Sequence, residues 1–314
     1  MYDAIIVGGG PAGLSAALPL GRMLRSTLVL DSGEPRNAPA EHMHNFLSRD
    51  GTTPSELRLV SRQQLEQYAT VEVRDVPVVS ARQLPEGDFE VTLAGNESVR
   101  GRRLLLATGV VDELPPIDGM AELWGRGVFH CPYCHGYEVR GVPLAVLGGT
   151  PAAAHLALHL RRLSDDVVLC TNGPAQFDPA LADALARQSV EVYRQPVVRL
   201  DVRDGNLERI AFADGTSLAR GAMFCTTATM RQRSELPRQL GLKVLPDALV
   251  EVDTMGRTNV PGIFAAGDMA RRSNFGQLSA VIAAAASGAF AGAVIDKELV
   301  AEDVGMAAMV PAVK

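Results

Sequence analysis

The stretch Ala4-Ile5-Ile6-Val7-Gly8-Gly9-Gly10-Pro11-Ala12-Gly13 decides how this chain folds. Its four leading apolar residues read as a buried strand and its glycines as a tight turn. Residues 14–25 read as the helix that follows, with a kink expected at Pro19. Each glycine of the Gly8-x-Gly10-x-x-Gly13 spacing has its own reason. Gly8 permits the turn, Gly10 lets bare backbone approach a pyrophosphate, and Gly13 lets the helix pack on the strand. The helix N-terminus, opened by Pro11 and Ala12, attracts phosphate charge. A second strand, Thr27-Leu28-Val29-Leu30, ends at Asp31, about 20 residues further on, where a carboxylate can accept from ribose hydroxyls. A dinucleotide is expected at this turn.

The same pattern returns at an offset of 140 residues. Leu144-Ala145-Val146-Leu147 is a strand, Gly148-Gly149-Thr150-Pro151-Ala152-Ala153 a turn, and Val167-Val168-Leu169-Cys170 the next strand. Two such units imply an α/β chain of two doubly wound, Rossmann-like nucleotide-binding domains. Pro115-Pro116 and Leu245-Pro246-Asp247 are candidate hinges. They place the second domain (115–245) as an insertion in a discontinuous first domain (1–114 and 246–314). The second turn is damaged as a nucleotide site. Gly10 maps to Thr150, Gly13 to Ala153 and Asp31 to Thr171, and no arginine cluster follows that strand. NADP(H) binding there is therefore doubtful. Residues 71–110 and 190–227 read as short strands joined at Pro85-Glu86-Gly87, Gly95-Asn96, Asp204-Gly205 and Asp214-Gly215.

Composition excludes several classes. The 314 residues suit about two domains of roughly 150 residues each. A net charge of -6 and the lack of a lysine- or arginine-rich block argue against a nucleic-acid footprint. Four cysteines in this length form no secreted disulfide framework. The N-terminus carries no signal-peptide pattern, and the apolar run 279–295, interrupted by Ser287 and two glycines, reads as a buried helix of a soluble protein. A cytoplasmic location is expected.

Two of the four cysteines stand in His130-Cys131-Pro132-Tyr133-Cys134-His135-Gly136-Tyr137. Zinc would need four ligands, and His130, Cys131, Cys134 and His135 are too bunched for one tetrahedral site, so no metal is expected. Cys-x-x-Cys-His is also the haem-attachment spacing, but that chemistry belongs to exported proteins. Two inert cysteines are a further alternative. A redox-active pair is preferred. Cys170 and Cys225 end apolar runs and read as core. His42 and His44 read as loop residues.

Taken together, these motifs resemble the low-molecular-weight thioredoxin reductase family over nearly the whole length. The resemblance is carried by Gly8–Gly13, Asn45 in His44-Asn45-Phe46, Ala107-Thr108-Gly109, the run from Cys131 to Gly136, and Ala265–Asp268 with Gln277. It implies FAD as cofactor, held through Gly8, Gly10, Pro11, Ala12, Gly13, Asp31, Asn45, Thr108, Gly109, Gly267, Asp268, Gln277 and Leu278. It also implies a homodimer. Three positions depart from the family: His135 replaces an aspartate, the nicotinamide turn and its arginine clamp are degraded, and Gly276 replaces an arginine. The run C-P-Y-C-H-G-Y-E resembles a subgroup, the dithiol oxidases that close disulfides in natural products of the holomycin, gliotoxin and romidepsin type.

The activity this resemblance implies is oxidation of a small-molecule dithiol. A substrate thiol gives its proton to His135, whose ordinary pKa lies near 6.5. The thiolate then attacks the Cys131–Cys134 disulfide, and the second substrate thiolate releases a cyclic disulfide. Electrons pass from Cys134 to flavin, and dioxygen reoxidises it to give hydrogen peroxide. The alternative is an NADPH- or ferredoxin-dependent reductase of thioredoxin type.

Overall fold

The computed structural model describes residues 1–276 and 279–306. The chain opens with β1 (Tyr2–Val7), α1 (Pro11–Arg22) and β2 (Thr27–Asp31). It continues through α2 (Pro54–Leu65), β3 (Val71–Asp75), β4 (Val78–Gln83), β5 (Phe89–Leu93) and β6 (Ser98–Leu106). Next come β7 (Val110–Glu113), α3 (Met120–Leu123), β8 (Val128–Phe129), α4 (Pro132–His135), β9 (Leu144–Leu147), α5 (Pro151–Leu160), β10 (Val167–Cys170), α6 (Pro179–Arg187) and β11 (Glu191–Tyr193). A run of strands follows: β12 (Val197–Arg203), β13 (Asn206–Phe212), β14 (Ser217–Ala219), β15 (Ala222–Cys225) and β16 (Thr229–Gln232). The chain closes with α7 (Leu236–Gln239), β17 (Val250–Glu251), β18 (Ile263–Ala265), β19 (Ala270–Arg271) and α8 (Val281–Asp303).

Two compact units emerge. The first comprises residues 1–38, 52–111 and 230–314, and the second residues 39–51 and 112–229. The boundaries differ from the sequence expectation in three places. Residues 112–114 belong to the second unit, where Leu114 packs against the core. Residues 230–245 belong to the first unit because Leu236 and Leu242 bury in its core. Residues 39–51 belong to the second, where Pro39 and Ala40 pack so closely on Gly125 that a Cβ there would lie 3.0 Å from Pro39.

The first unit is built on a sheet of order β3-β2-β1-β6-β5-β4, with β18 also paired to β6. β1, β2, β3 and β18 run parallel to their neighbours, while β4 and β5 form an antiparallel edge. Alternate residues of a strand point to opposite faces. Ala4 and Ile6 therefore bury against α1 and α8, whereas Ile5 and Val7 bury against Phe89, Val91 and Leu236 on the other side. Helix α1 begins at Pro11 and continues through Pro19 to Arg22. Its turn into β2 uses Leu24 at φ 59°.

Helix α8 is the apolar run of the sequence. Gly288 and Gly292, four apart, lie on one helix face. A Cβ on Gly288 would stand 1.9 Å from the Ala12 carbonyl oxygen, and one on Gly292 2.4 Å from that of Ala16. Small residues thus let α8 lie against α1. Its other face is not buried: Ile282 and Phe290 are exposed. No helix among the described residues is long and apolar enough to cross a membrane.

The second unit repeats the plan with a five-stranded parallel sheet, β11-β10-β9-β15-β8. Leu144 and Val146 of β9 face α5, and Ala145 and Leu147 face the residues of an antiparallel layer, β12-β13-β14. The hairpin between β12 and β13 turns at Asp204 and Gly205, both at positive φ (51° and 76°), as a tight two-residue turn requires.

Candidate functional site

In the first unit, the glycine turn joins β1 to α1. Gly8 adopts φ 116°, and a Cβ there would lie 2.2 Å from the Ala107 carbonyl oxygen. A Cβ on Gly13 would lie 1.8 Å from the Gly8 carbonyl oxygen. These two glycines are demanded by packing. Gly10 is different. It has extended backbone (φ -83°, ψ -174°) and no atom within 4 Å of an added Cβ. It is the N-cap of α1 and supplies no side-chain cap, so the first N–H groups of the helix keep their donors for a ligand. Open space at bare backbone before an uncapped helix fits a pyrophosphate.

The other expected FAD contacts distribute as follows. Asp31 ends β2 and lies against the turn, since a Cβ on Gly9 would meet its Cγ at 2.5 Å. Its carboxylate accepts from Arg58 Nη2 (2.6 Å), Arg62 Nη2 (2.7 Å) and the Gly33 N–H (3.1 Å). Burial pushes the Asp31 carboxyl up, but the Gly33 N–H and the Arg58 guanidinium outweigh it and hold the group below the usual range. Asp268 accepts from Arg36 Nη1 at 2.8 Å. Gly267 adopts φ 77°, donates its N–H to Ser287 Oγ, and has Ala12 beside it. Thr108 donates to Met269 Sδ and accepts from Ser234 Oγ, and Gly109 follows at φ 68°. The first unit therefore gathers Gly8–Gly13, Asp31, Thr108, Gly109, Gly267 and Asp268. Asn45 (φ 63°) belongs to the second unit, where its N–H donates to Asp50 Oδ1. Gln277 and Leu278 lie outside the described residues.

The second turn has the same outline and different chemistry. Gly148 adopts φ 148°, and Ala153 fits beside it at the position of Gly13. Thr150 replaces the bare Gly10 and turns its own hydroxyl onto the Ala153 N–H (3.4 Å), capping α5 from within. Thr171, at the position of Asp31, is buried and donates to the carbonyls of Gly173 and Tyr193. The Gln176 N–H bonds the Gly149 carbonyl, drawing the loop after β10 onto the turn. Donors that a phosphate would use are thus partly engaged by the chain itself.

The cysteine pair sits at α4 of this second unit. Cys131 is the N-cap and Cys134 is the third helical residue, with its N–H on the Cys131 carbonyl. The two Sγ atoms stand 2.6 Å apart, placed to make or break a disulfide. Gly136 keeps the segment tight, because a Cβ there would lie 2.4 Å from the Pro132 carbonyl oxygen. Cys170 and Cys225 are buried in the core, and burial pushes the Cys170 thiol up to about 12.

His135 differs from its sequence expectation. Its ring stacks on Phe129 (centroids 4.5 Å, planes 14° apart). Neither ring nitrogen has a hydrogen-bond partner among the described residues. Burial first, then the neighbouring His130 and His44, push its pKa down to about 4. The imidazole is therefore neutral at pH 7 and weakly basic. Drawing a proton from a thiol of pKa about 8.5 would be uphill by about 6 kcal/mol. The loop histidine His44, by contrast, has a carboxylate near each ring nitrogen. Its Nε2 lies 3.5 Å from Glu138 Oε1 and its Nδ1 3.4 Å from Asp50 Oδ2.

Two doubly wound units, one with a bare glycine turn and the other with paired cysteines, are the build of a flavin-dependent thiol–disulfide oxidoreductase. A family model described as pyridine nucleotide-disulphide oxidoreductase matches residues 2–288, and the chain belongs to that family. Thioredoxin reductase aclD of Aspergillus oryzae is 36% identical over 278 residues, covering 85% of this chain and 88% of that protein. Thioredoxin reductase tcpT of Claviceps purpurea is 35% identical over 328 residues, covering 99% and 98%. The solved structure of HlmI is similar at TM-score 0.88 and 38% identity, covering 97% of this chain and 94% of that one. A putative thioredoxin reductase from Bacillus anthracis is similar at 0.89 and 28%, covering 96% and 100%.

Sequence reasoning missed Arg36, Arg58 and Arg62 as partners of the acidic residues, and Glu138 and Asp50 as partners of His44. Arg58 and Arg62 carried a signal, their spacing of four on a helix. The others carried none until the fold joined them.

Proposed function

We propose that this protein is an FAD-dependent dithiol oxidase that closes an intramolecular disulfide in a small-molecule dithiol through Cys131 and Cys134. Dioxygen is the final acceptor and hydrogen peroxide the second product. The observation that carries this reading is the contrast between the two turns. The Gly10 turn offers free helix donors to a pyrophosphate, while Thr150 caps its own helix and Thr171 replaces the ribose-binding carboxylate. In this reading electrons enter from the thiol side, where the paired Sγ atoms stand, rather than from a nicotinamide.

In this reading the first unit holds FAD, with Gly8, Gly10, Gly13, Asp31 and Asp268 at the cofactor. When bound, FAD supplies a two-electron acceptor for the reduced cysteine pair. Cys131 takes the attack of the substrate thiolate and Cys134 leaves as thiolate. His135, stacked on Phe129, stays neutral. The protein works as a homodimer, which the family resemblance supports.

The name carried by aclD and tcpT, thioredoxin reductase, favours a second reading, a reductase fed by NADPH or ferredoxin. Oxygen uptake separates the two. With dithiothreitol as substrate, the oxidase reading expects oxygen consumption and peroxide release, both lost in Cys134→Ser. No oxygen uptake with any small dithiol, beside NADPH-driven reduction of thioredoxin, overturns it.

A further inference from the structure

His135 cannot serve easily as the proton acceptor of the dithiol step. Its nitrogens are shielded, and its ring is occupied by the stack on Phe129. A thiol still has to lose a proton before it can attack a disulfide, because the thiolate is the nucleophile. The surroundings of α4 contain a better-equipped group.

His44 lies on the 39–51 segment that joins the second unit. Its side chain is only 17% exposed, so it is held rather than waving in solvent. Asp50 stands at Nδ1 and Glu138 at Nε2. Glu138 lies four residues beyond Cys134 in the chain, just after α4. The charge of His44 is also felt at His135, the neighbour of Cys134. A carboxylate behind one nitrogen orients an imidazole and stabilises the imidazolium that forms when the other nitrogen takes a proton, the logic of a carboxylate–histidine base. The hydrogen bond to Asp50 at Nδ1 holds the ring, whereas Glu138 stands 3.5 Å from Nε2, so that nitrogen can exchange the contact for a substrate S–H.

We propose that His44, backed by Asp50 and Glu138, accepts the proton of the substrate thiol that attacks the Cys131–Cys134 disulfide. This rests on the dithiol-oxidase reading and assigns its base. The first substrate S–H bond breaks and the proton goes to His44. The new thiolate bonds to Cys131 Sγ, the Cys131–Cys134 bond breaks, and Cys134 leaves as thiolate. The second substrate thiol loses its proton to solvent and attacks the substrate sulfur bound to Cys131. Cys131 leaves as thiolate and takes the proton back from His44. Two electrons have moved from the substrate dithiol, now a cyclic disulfide, to the cysteine pair.

Among the described residues, the titratable groups near His44 include Asp50 on its own loop, Glu138 after α4, His135 on α4, and His42, whose ring centroid is 6.5 Å away. The test is the pH profile of disulfide reduction by dithiothreitol in anaerobic holoenzyme, read both as flavin bleaching and as the mass gained when quenched samples are alkylated. Wild-type protein should show a histidine-type limb. His44→Gln should lose that limb and slow reduction by about 100-fold or more. Glu138→Gln should keep the limb and slow reduction less than His44→Gln does. His135→Phe should keep the limb in place. A His44→Gln protein with the wild-type limb and a rate within about twofold, or a limb lost only in His135→Phe, overturns the proposal. Wild-type protein that no small dithiol reduces at any pH, while NADPH does, overturns the oxidase reading and the role of His44 with it.

Discussion

Replacing Gly10 with alanine separates cofactor binding from folding. The backbone there is extended and open to any residue, and an added Cβ meets no atom within 4 Å. The cost to the fold is that of a poorer N-cap, up to about 1 kcal/mol. The cost to FAD is larger. The Cβ fills space through which backbone N–H groups reach a pyrophosphate. Losing two charge-assisted hydrogen bonds at about 1.5–3 kcal/mol each weakens binding by about two to four orders of magnitude. Gly13→Ala is the control. Its Cβ would lie 1.8 Å from the Gly8 carbonyl oxygen, so it strains the fold by about 1–3 kcal/mol or more. FAD titration of the deflavinated proteins, beside urea denaturation of the same samples, resolves the two effects. A Gly10→Ala protein that binds FAD as tightly as its parent refutes the reasoning. So does one whose apoprotein is as destabilised as Gly13→Ala.

Other outcomes follow from the same geometry. His135 has a native pKa of about 4 against an ordinary 6.5, so the unfolded chain binds the extra proton between those values. Stability is unaffected above pH 6.5 and falls by up to about 3 kcal/mol as pH drops toward 4; His135→Phe should flatten that limb of a stability–pH curve measured by denaturation. Gly288→Val would drive a side chain into the Ala12 carbonyl 1.9 Å away and part α8 from α1, at about 3 kcal/mol. It should lower both the midpoint of thermal unfolding and the FAD content of the purified protein.

The legible parts of this chain were those whose chemistry is local. Gly8, Gly10 and Gly13 announce a strand–turn–helix because each spacing has a steric cause, and the same causes expose Thr150 and Thr171 as misfits at the second turn. Domain boundaries were less legible. Pro115-Pro116 and Leu245-Pro246-Asp247 are turn chemistry inside a unit, and only the burial of Leu236 and Leu242 shows where residues 230–245 belong. The acid–base chemistry was least legible. His135 adjoins a reactive cysteine in sequence, yet its stack on Phe129 decides its basicity. His44 and Glu138 are 94 residues apart, and only the fold makes them neighbours. Asp31 was read correctly as the end of β2, but its arginines come from a helix that begins 23 residues later.

The central claim is that electrons enter through Cys131 and Cys134 from a dithiol and not through the second turn from a nicotinamide. Anaerobic mixing of oxidised holoenzyme with either donor, followed at the flavin absorbance near about 450 nm, tests it most directly. A small dithiol should bleach the flavin, Cys134→Ser should abolish that bleaching, and NADPH should leave the spectrum unchanged over the same interval. Bleaching by NADPH within seconds would contradict the account.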